Sequence, residues 1–170
     1  MIESMSIYRI SQYGEPILRK QCVRVGSVGL REKKIFDRIA RTMYEAQGIG
    51  LAACQVGIDR QLMVVDVGGG LIKLANPLVI LREDESTIEE GCLSIPGVTV
   101  KVKRAMRVLV QGLNEEGRRI KIEGEGLLAH ALQHEVDHLS GILIIDYASS
   151  QEKDSFQSEL RELEEKTRLK

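Results

Sequence analysis

The chain lacks the features that would direct it to a membrane, to nucleic acid or to export. No hydrophobic run in its 170 residues approaches the ~20 residues of a membrane-spanning helix. The N-terminus lacks the basic-then-apolar layout of a signal peptide, and it is not rich in Arg and Ser like a transit peptide. The net charge of −1 gives no bias toward nucleic acid or anionic lipid. These absences predict a cytoplasmic protein with neither a nucleic-acid site nor a membrane partner.

Cysteine is also scarce. Cys22, Cys54 and Cys92 are odd in number and widely spaced, and no C-x-x-C pair is present. A disulfide framework is therefore not expected, which fits a reducing compartment.

Histidine is equally rare, but all three copies fall on one stripe of a predicted helix. His130, His134 and His138 are spaced four residues apart, and the last two belong to the motif H-E-V-D-H. Residues four apart share a helix face, so His134 and His138 can bind one metal ion. Glu135 lies at the edge of that face, where it can reach a metal-bound water, and Asp137 is expected to be the structural partner of an arginine. The motif predicts the metal centre of a mononuclear hydrolase.

The third ligand must come from outside this helix. His130 and His138 would be roughly 12 Å apart along a straight helix, whereas nitrogens on one zinc-like ion lie within ~4 Å of each other. Proteases with H-E-x-x-H-x-x-G-x-x-H have a further histidine where this chain has Ile144. Cys92, in E-G-C-L-S-I-P, could complete a thiolate and two-imidazole set. A lone cysteine is, however, more often a small buried apolar residue.

A second segment of small residues, G-I-G-L-A-A-C-Q-V-G, occupies positions 48–57. It has no G-K-[ST] and so does not suit a phosphate loop. Two interpretations stay open. The segment is either a tight crossing between elements, or a wall of a substrate site in which Gln55 donates a hydrogen bond to a developing oxyanion.

The hydrophobic pattern predicts helices around a strand-rich middle. Helices are expected over about 30–46 and 124–139, the second capped by Gly141, and in the tail. Strands are expected at 61–67, 98–102, 107–110 and in I-L-I-I-D-Y, with a further strand in P-L-V-I-L-R-E and a hairpin tip at 114–117.

Strands without regular βαβ alternation predict an α+β fold. We expect mostly antiparallel β-sheets packed around a central metal-binding helix, with an N-terminal-half helix and a C-terminal helix. The length suits a single domain over 1–170, with a helical tail at 151–170.

Taken together and in this order, G-I-G-L-A-A-C-Q, E-G-C-L-S and Q-H-E-V-D-H-L-S-G resemble the three signature motifs of the peptide deformylase family. The segment G-E-P-I-L-R and Arg104 in V-K-V-K-R also resemble that family, so the resemblance covers nearly the whole chain. The short interval between the first two motifs and the helical tail resemble its Gram-negative-type and organellar branch. Without a transit peptide, a bacterial enzyme is expected.

The resemblance implies a metal-dependent hydrolase that removes the N-formyl group from the N-terminal formylmethionine of newly made polypeptides and releases formate. Metal-bound hydroxide would attack the formyl carbon, with Glu135 as general base and then general acid. The oxyanion would be held by the metal, the Gln55 amide and the backbone N–H of Leu93.

The resemblance also implies the ligands and the ion. Cys92, His134 and His138 would hold one divalent metal, with ferrous iron expected in the cell and zinc, nickel or cobalt in purified protein.

The implied substrate is an N-formylmethionyl nascent peptide, bound as an extra strand beside the β-rich stretch after Glu89. His130 is expected to flank the methionine side chain or to hydrogen-bond at the pocket rim, without binding metal. The residues implied to contact substrate are Ile49, Gly50, Leu51, Ile88, Glu90, Gly91, Leu127, His130 and Ala131.

Some members of the family dock on the ribosome through a basic C-terminal helix. Residues 151–170 here hold five Lys/Arg against six Asp/Glu, so strong ribosome docking through the tail is not expected.

Two other classes remain open from the residues. A zincin-type metalloprotease would replace Cys92 with a downstream ligand such as Glu152 or Glu159. A non-enzymatic metal-dependent regulator would use Cys92, His134 and His138 but would have no need of Glu135.

Overall fold

A computed structural model describes residues 6–170. The expectations for the N-terminal segment rest partly on residues 1–5, which lie outside the described part. From residue 6 to helix α1 the chain is irregular, as expected, apart from a short 3-10 helix at Pro16–Arg19. Helix α1 spans Leu30–Glu45, close to its predicted bounds, and buries Phe36, Ile39 and Met43 on one face.

One antiparallel sheet of five strands forms the centre of the described part. Its strands are β1 (Gly50–Ala52), β2 (Leu62–Val65), β3 (Ile72–Gly91), β4 (Thr99–Leu113) and β5 (Arg119–Glu125). Each strand pairs with the next one along the chain, so the order across the sheet is the order in sequence. The α+β prediction is confirmed, with a single sheet in place of several.

Strands β3 and β4 are longer than the sequence pattern predicted. They run for 20 and 15 residues, and the pattern had divided each into shorter pieces. The polar run R-E-D-E-S-T at 82–87 interrupts the apolar alternation, yet every residue of it except Asp84 has a partner in β4. Register shifts between Ala75 and Leu78 and between Val79 and Leu81 also disturb the period of two.

Helix α2 spans Leu127–Leu139 and carries the three histidines. It begins later than predicted, because Gly124 and Glu125 pair with β4 as the end of β5. A Cβ at Gly124 would lie 2.9 Å from a methyl carbon of Leu132, so the glycine lets helix and strand approach closely. Ala129 and Leu132 are fully buried in the cluster that joins α2 to the sheet.

The segment after α2 differs from its prediction. I-L-I-I-D-Y was expected to form a strand, but Ile144–Tyr147 is a 3-10 helix. Asp146 accepts a hydrogen bond from the backbone N–H of Leu143 at 3.0 Å and pairs with Arg19, and these contacts hold the turn. The apolar run is therefore a buried helical turn.

The predicted C-terminal helix is present as two pieces, α3 (Ser150–Ser155) and α4 (Gln157–Arg168). Phe156 at the break and Leu163 are buried in a cluster with Leu18 and Ile95. No helix among residues 6–170 has the length and apolar character needed to cross a membrane.

Candidate active site

Two distant segments bring three metal-binding side chains together. Cys92 follows the end of β3, and His134 and His138 lie one turn apart on α2. The Nε2 atoms of the two histidines are 3.1 Å apart, and the Cys92 Sγ lies 3.3 Å from the Nε2 of His138. All three ligand atoms lie within 4.8 Å of one another. His130 does not belong to this group.

The chemistry of this cluster fits a divalent transition ion. One thiolate and two imidazoles are a recognised ligand set that leaves a coordination position open. Burial lowers the pKa of His138 well below its usual value, so its ring is neutral with a lone pair for a metal. Burial opposes charge on His134 as well, yet hydrogen bonds to Cys92 and Glu90 hold its pKa well above the usual value. The surroundings therefore favour positive charge at this point.

A buried ionic network fixes the orientation of His134. Glu90 accepts from the Nδ1 of His134 at 3.0 Å, and Arg104 binds both carboxylate oxygens at 2.6 and 3.0 Å. Burial would raise the pKa of Glu90, but hydrogen bonds from His134 and Arg104 outweigh it and lower that pKa to about 2. The ionised carboxylate holds the proton of His134 on Nδ1 and leaves Nε2 free for a metal.

Arg104 also donates to Asp137 at 2.8 Å, so the prediction that Asp137 is the structural partner of an arginine is confirmed. Glu90 was expected to contact substrate, but Arg104 and His134 both form hydrogen bonds with its carboxylate. Only the likeness of V-K-V-K-R to the family pointed to Arg104, and nothing in the residue pattern gave it a role.

Glu135 carries a carboxylate without a full set of partners. It is buried, and its Oε2 has no hydrogen-bond partner among residues 6–170. Its Oε1 lies 4.0 Å from the Nε2 of His134. Burial, the largest influence, raises the pKa of Glu135 to about 7. A carboxyl group of this kind can take up and release a proton near neutral pH.

Gly50 in β1 forms the other side of the Glu135 site. A Cβ at this position would lie 2.9 Å from both Cδ and Cγ of Glu135. The absence of a side chain at Gly50 is what lets the carboxylate occupy its position. The small residues of positions 48–57 therefore serve the site as well as the crossing between elements.

Gln55 is held with its amide nitrogen toward the thiol. Its Oε1 accepts from the backbone N–H of Ala52 at 2.9 Å, and its Nε2 donates to the Ser94 hydroxyl at 3.1 Å. The same Nε2 lies 3.7 Å from the Cys92 Sγ. The donor thus faces the ligand cluster, as an oxyanion donor must. Ser94, whose hydroxyl helps to fix this orientation, was not singled out from the sequence.

A cavity of about 550 Å³ opens beside the cluster. It contains most of the residues predicted to contact substrate: Ile49, Gly50, Ile88, Glu90, Gly91, Leu127, His130 and Ala131. Leu93, predicted to donate its backbone N–H, also lines it, and so does Val98, which the sequence had marked only as a strand residue.

Leu51 was expected at the pocket, and this prediction is wrong for its side chain. Leu51 does not line the cavity and is fully buried in the cluster that contains Phe36 and Met43. Successive side chains of a strand point to opposite faces. Gly50 faces Glu135, so the side chain of Leu51 turns into the core.

The two candidate downstream ligands, Glu152 and Glu159, form hydrogen bonds away from the metal-binding group. Glu152 caps α3 by accepting from the backbone N–H of Ser149 at 2.9 Å, and it accepts from that of Lys101 at 3.1 Å. Glu159 accepts from Ser158. Within residues 6–170, neither glutamate joins the metal-binding group, so the downstream ligand of a zincin-type protease is not found.

Comparison with known proteins gives a consistent result. The family model for polypeptide deformylase matches residues 7–154. The peptide deformylase of Desulfitobacterium hafniense is 48% identical over 144 residues, which cover 85% of this chain and 96% of that protein. That of Halothermothrix orenii is 47% identical, covering 84% and 94%.

Solved structures agree with this result. The peptide deformylase of Thermus thermophilus has a TM-score of 0.89 at 35% identity, covering 94% of this chain and 99% of its own. That of Thermotoga maritima has a TM-score of 0.82 at 41% identity, covering 85% and 99%. With the family model matched over most of its length, the chain belongs to the peptide deformylase family.

Proposed function

We propose that this chain is a hydrolase that removes the N-formyl group from the N-terminal formylmethionine of nascent peptides and releases formate. The observation that carries this proposal is the Cys92, His134 and His138 cluster beside the buried carboxylate of Glu135, whose Oε2 has no hydrogen-bond partner in the described chain. A divalent ion held by those three side chains would supply Lewis-acid activation of water and of the formyl oxygen.

The remaining roles belong to protein groups. Glu135 takes a proton from the attacking water and gives it to the leaving amine as the carbon–nitrogen bond breaks. The water oxygen ends on formate. The Nε2 of Gln55 and the backbone N–H of Leu93 donate hydrogen bonds to the oxyanion that forms on the formyl group. The orientation of Gln55 toward Cys92 supports its part in this step.

The methionine side chain enters the cavity between Ile88, Leu127 and Ala131, which line its apolar part. On the edge of β3 that faces β2, residues 72–75 pair with β2, and in the described chain no other strand pairs with that edge nearer Gly91. An extended peptide can add there as a further strand, which would place its backbone beside Glu89 and Gly91.

The native ion, the branch of the family and the cellular location are proposals that rest on the resemblance and the sequence alone. We propose ferrous iron as the native ion, with zinc, nickel or cobalt able to replace it because the ligand set accepts several metals. We also propose the Gram-negative-type branch, on the short interval between the first two motifs and the helical tail. A cytoplasmic location and, given the acidic tail, at most a transient ribosome contact stay predictions.

The decisive experiment measures formate release from formyl-Met-Ala-Ser by the iron-loaded protein. We expect turnover by the parent and none by Cys92→Ala, which loses a metal ligand. Glu135→Ala should keep its metal but lose nearly all turnover. A fully metal-loaded parent that releases no formate would refute the proposal. A metal-dependent regulator, by contrast, would keep its function in Glu135→Ala.

A further inference from the structure

A chain of hydrogen bonds leads from the surface of β3 to the metal-binding cluster. The Ser86 hydroxyl lies 2.7 Å from the Nε2 of His130, and the Nδ1 of His130 lies 3.3 Å from the Oε1 of Glu90. Glu90 in turn accepts from His134 through its other oxygen at 3.0 Å. His130 is buried, with 2% of its surface exposed, so its ring nitrogens depend on these two partners.

The direction of each hydrogen bond in this chain is fixed by Glu90. Its two oxygens accept hydrogen bonds from Arg104, His130 and His134, so Glu90 acts as an ionised carboxylate that only accepts. The Nδ1 of His130 must then carry the proton. Its Nε2 is left as an acceptor, and the Ser86 hydroxyl is the donor that it faces. Ser86 therefore donates to His130, and His130 donates to Glu90.

These hydrogen bonds give His130 a structural role that its position on the histidine face of α2 did not suggest. With both nitrogens occupied, the ring cannot turn to the metal-binding cluster. It instead holds the Oε1 side of Glu90, while His134 is held by the Oε2 side. A carboxylate fixed from both sides presents a fixed acceptor to the metal ligand.

We propose that Ser86 and His130 are positioning residues for the metal ligand His134, acting through Glu90. The proposal rests on the proposed metal site. Residues that form hydrogen bonds with a metal ligand orient its ring and tune its affinity for the ion. His130 contacts Glu90, and Ser86 contacts His130. The effect of a substitution on metal affinity should therefore be larger at His130 than at Ser86.

A nucleophilic role for Ser86 is the competing interpretation, because serine, histidine and glutamate also form hydrolytic triads. Two observations oppose it. Ser86 does not line the cavity, so a substrate bound there does not meet its hydroxyl. Glu90 is also shared with Arg104 and His134, and so is not dedicated to His130.

The test follows loss of metal without any peptide substrate. The cobalt-loaded full-length chain is mixed with excess EDTA, and cobalt release is followed by the visible absorption of the thiolate–cobalt centre. Three variants are compared with the parent: His130→Leu, Ser86→Ala and Ser86→Thr. Threonine keeps the hydroxyl and suits a strand, so Ser86→Thr is the matched control.

We expect His130→Leu to release cobalt about 10-fold faster than the parent, at the low end of effects seen behind metal ligands. Ser86→Ala should release it about 3-fold faster, as suits the loss of one neutral hydrogen bond. Ser86→Thr should match the parent. A shift of the cobalt spectrum in the first two variants only would report the changed orientation of His134.

Unchanged release rates in His130→Leu and Ser86→Ala would overturn the proposal, as would equal acceleration in Ser86→Ala and Ser86→Thr. If His130→Leu fails to fold, the pair of Ser86 variants decides the question, because Ser86 lies outside the cavity and is partly exposed. A protein with the expected release pattern but no formate production would refute the proposed function and leave this proposal intact.

Discussion

Gly50→Ala should impair Glu135 by a direct steric effect. The new Cβ would lie 2.9 Å from the Cδ and Cγ atoms of the carboxylate arm. Ordinary carbon–carbon contacts are about 3.5–4.0 Å, so the carboxylate must move by roughly 0.5–1 Å. A misplacement of about 1 Å in a reacting group can cost ~10²-fold in rate. We therefore expect kcat/KM for a formylmethionyl peptide to fall about 100-fold, with metal content unchanged.

The assay is formate release by iron-loaded protein, with metal content measured on the same samples. Gly69→Ala is the control, because a Cβ at Gly69 meets no atom of the described residues within 4 Å and should leave turnover unchanged. Full activity in Gly50→Ala would show that Glu135 need not sit where the structure places it.

A double-mutant cycle isolates the cause. The three atoms nearest to a Cβ at position 50 all belong to Glu135. Gly50→Ala should therefore lower the free energy of unfolding by about 1–3 kcal/mol in the parent, which is the usual cost of overpacking. The same change in a Glu135→Ala background should cost almost nothing. An equal cost in both backgrounds would contradict the steric argument.

Three further predictions concern the ion pair between Arg104 and Glu90, the hydrogen-bond donor Gln55 and the stability of the protein at acidic pH. Arg104→Ala removes the arginine partner of the buried Glu90 carboxylate, so urea denaturation should show a loss of about 3–5 kcal/mol; an unchanged midpoint would contradict this. Gln55→Ala should lower kcat by about 10²–10³-fold in the formate assay with little change in metal content. Hydrogen bonds from Arg9 lower the pKa of Glu15 to about 2. The stability that Glu15 adds over Glu15→Gln should be full above pH 4.5, Glu15's ordinary pKa, and disappear as pH falls through about 2. The free energies of unfolding of the parent and of Glu15→Gln would be compared by denaturation at several pH values. A difference between them that does not change with pH would contradict the prediction.

Local patterns predicted the elements that are built from local signals. The apolar spacing of α1 and the turn at 114–117 appear where expected. The same signals failed where tertiary contacts decide. Strand β3 continues through a polar run because β4 pairs with it, and Ile144–Tyr147 is helical because Asp146 reaches Arg19.

The candidate site divides in the same way. His134 and His138 follow from their spacing on one helix, whereas Cys92 was indicated by the missing third ligand and by the resemblance of E-G-C-L-S to a family motif. The chain from Ser86 to His130 joins residues 44 apart in sequence, and no local pattern marks such a pair. Leu51 shows the converse limit, because motif membership placed a residue at the pocket that strand alternation turns into the core.

The order of the strands in the sheet bears on how the enzyme folds. Because each strand pairs with its successor, the sheet can grow hairpin by hairpin, which favours rapid folding. Helix α2 follows all five strands and packs on them. A chain still being synthesised can therefore complete its sheet while its ligand set is unfinished. The metal-binding group is complete only where α2, the last of these elements in the chain, packs on the sheet and brings His134 and His138 to Cys92.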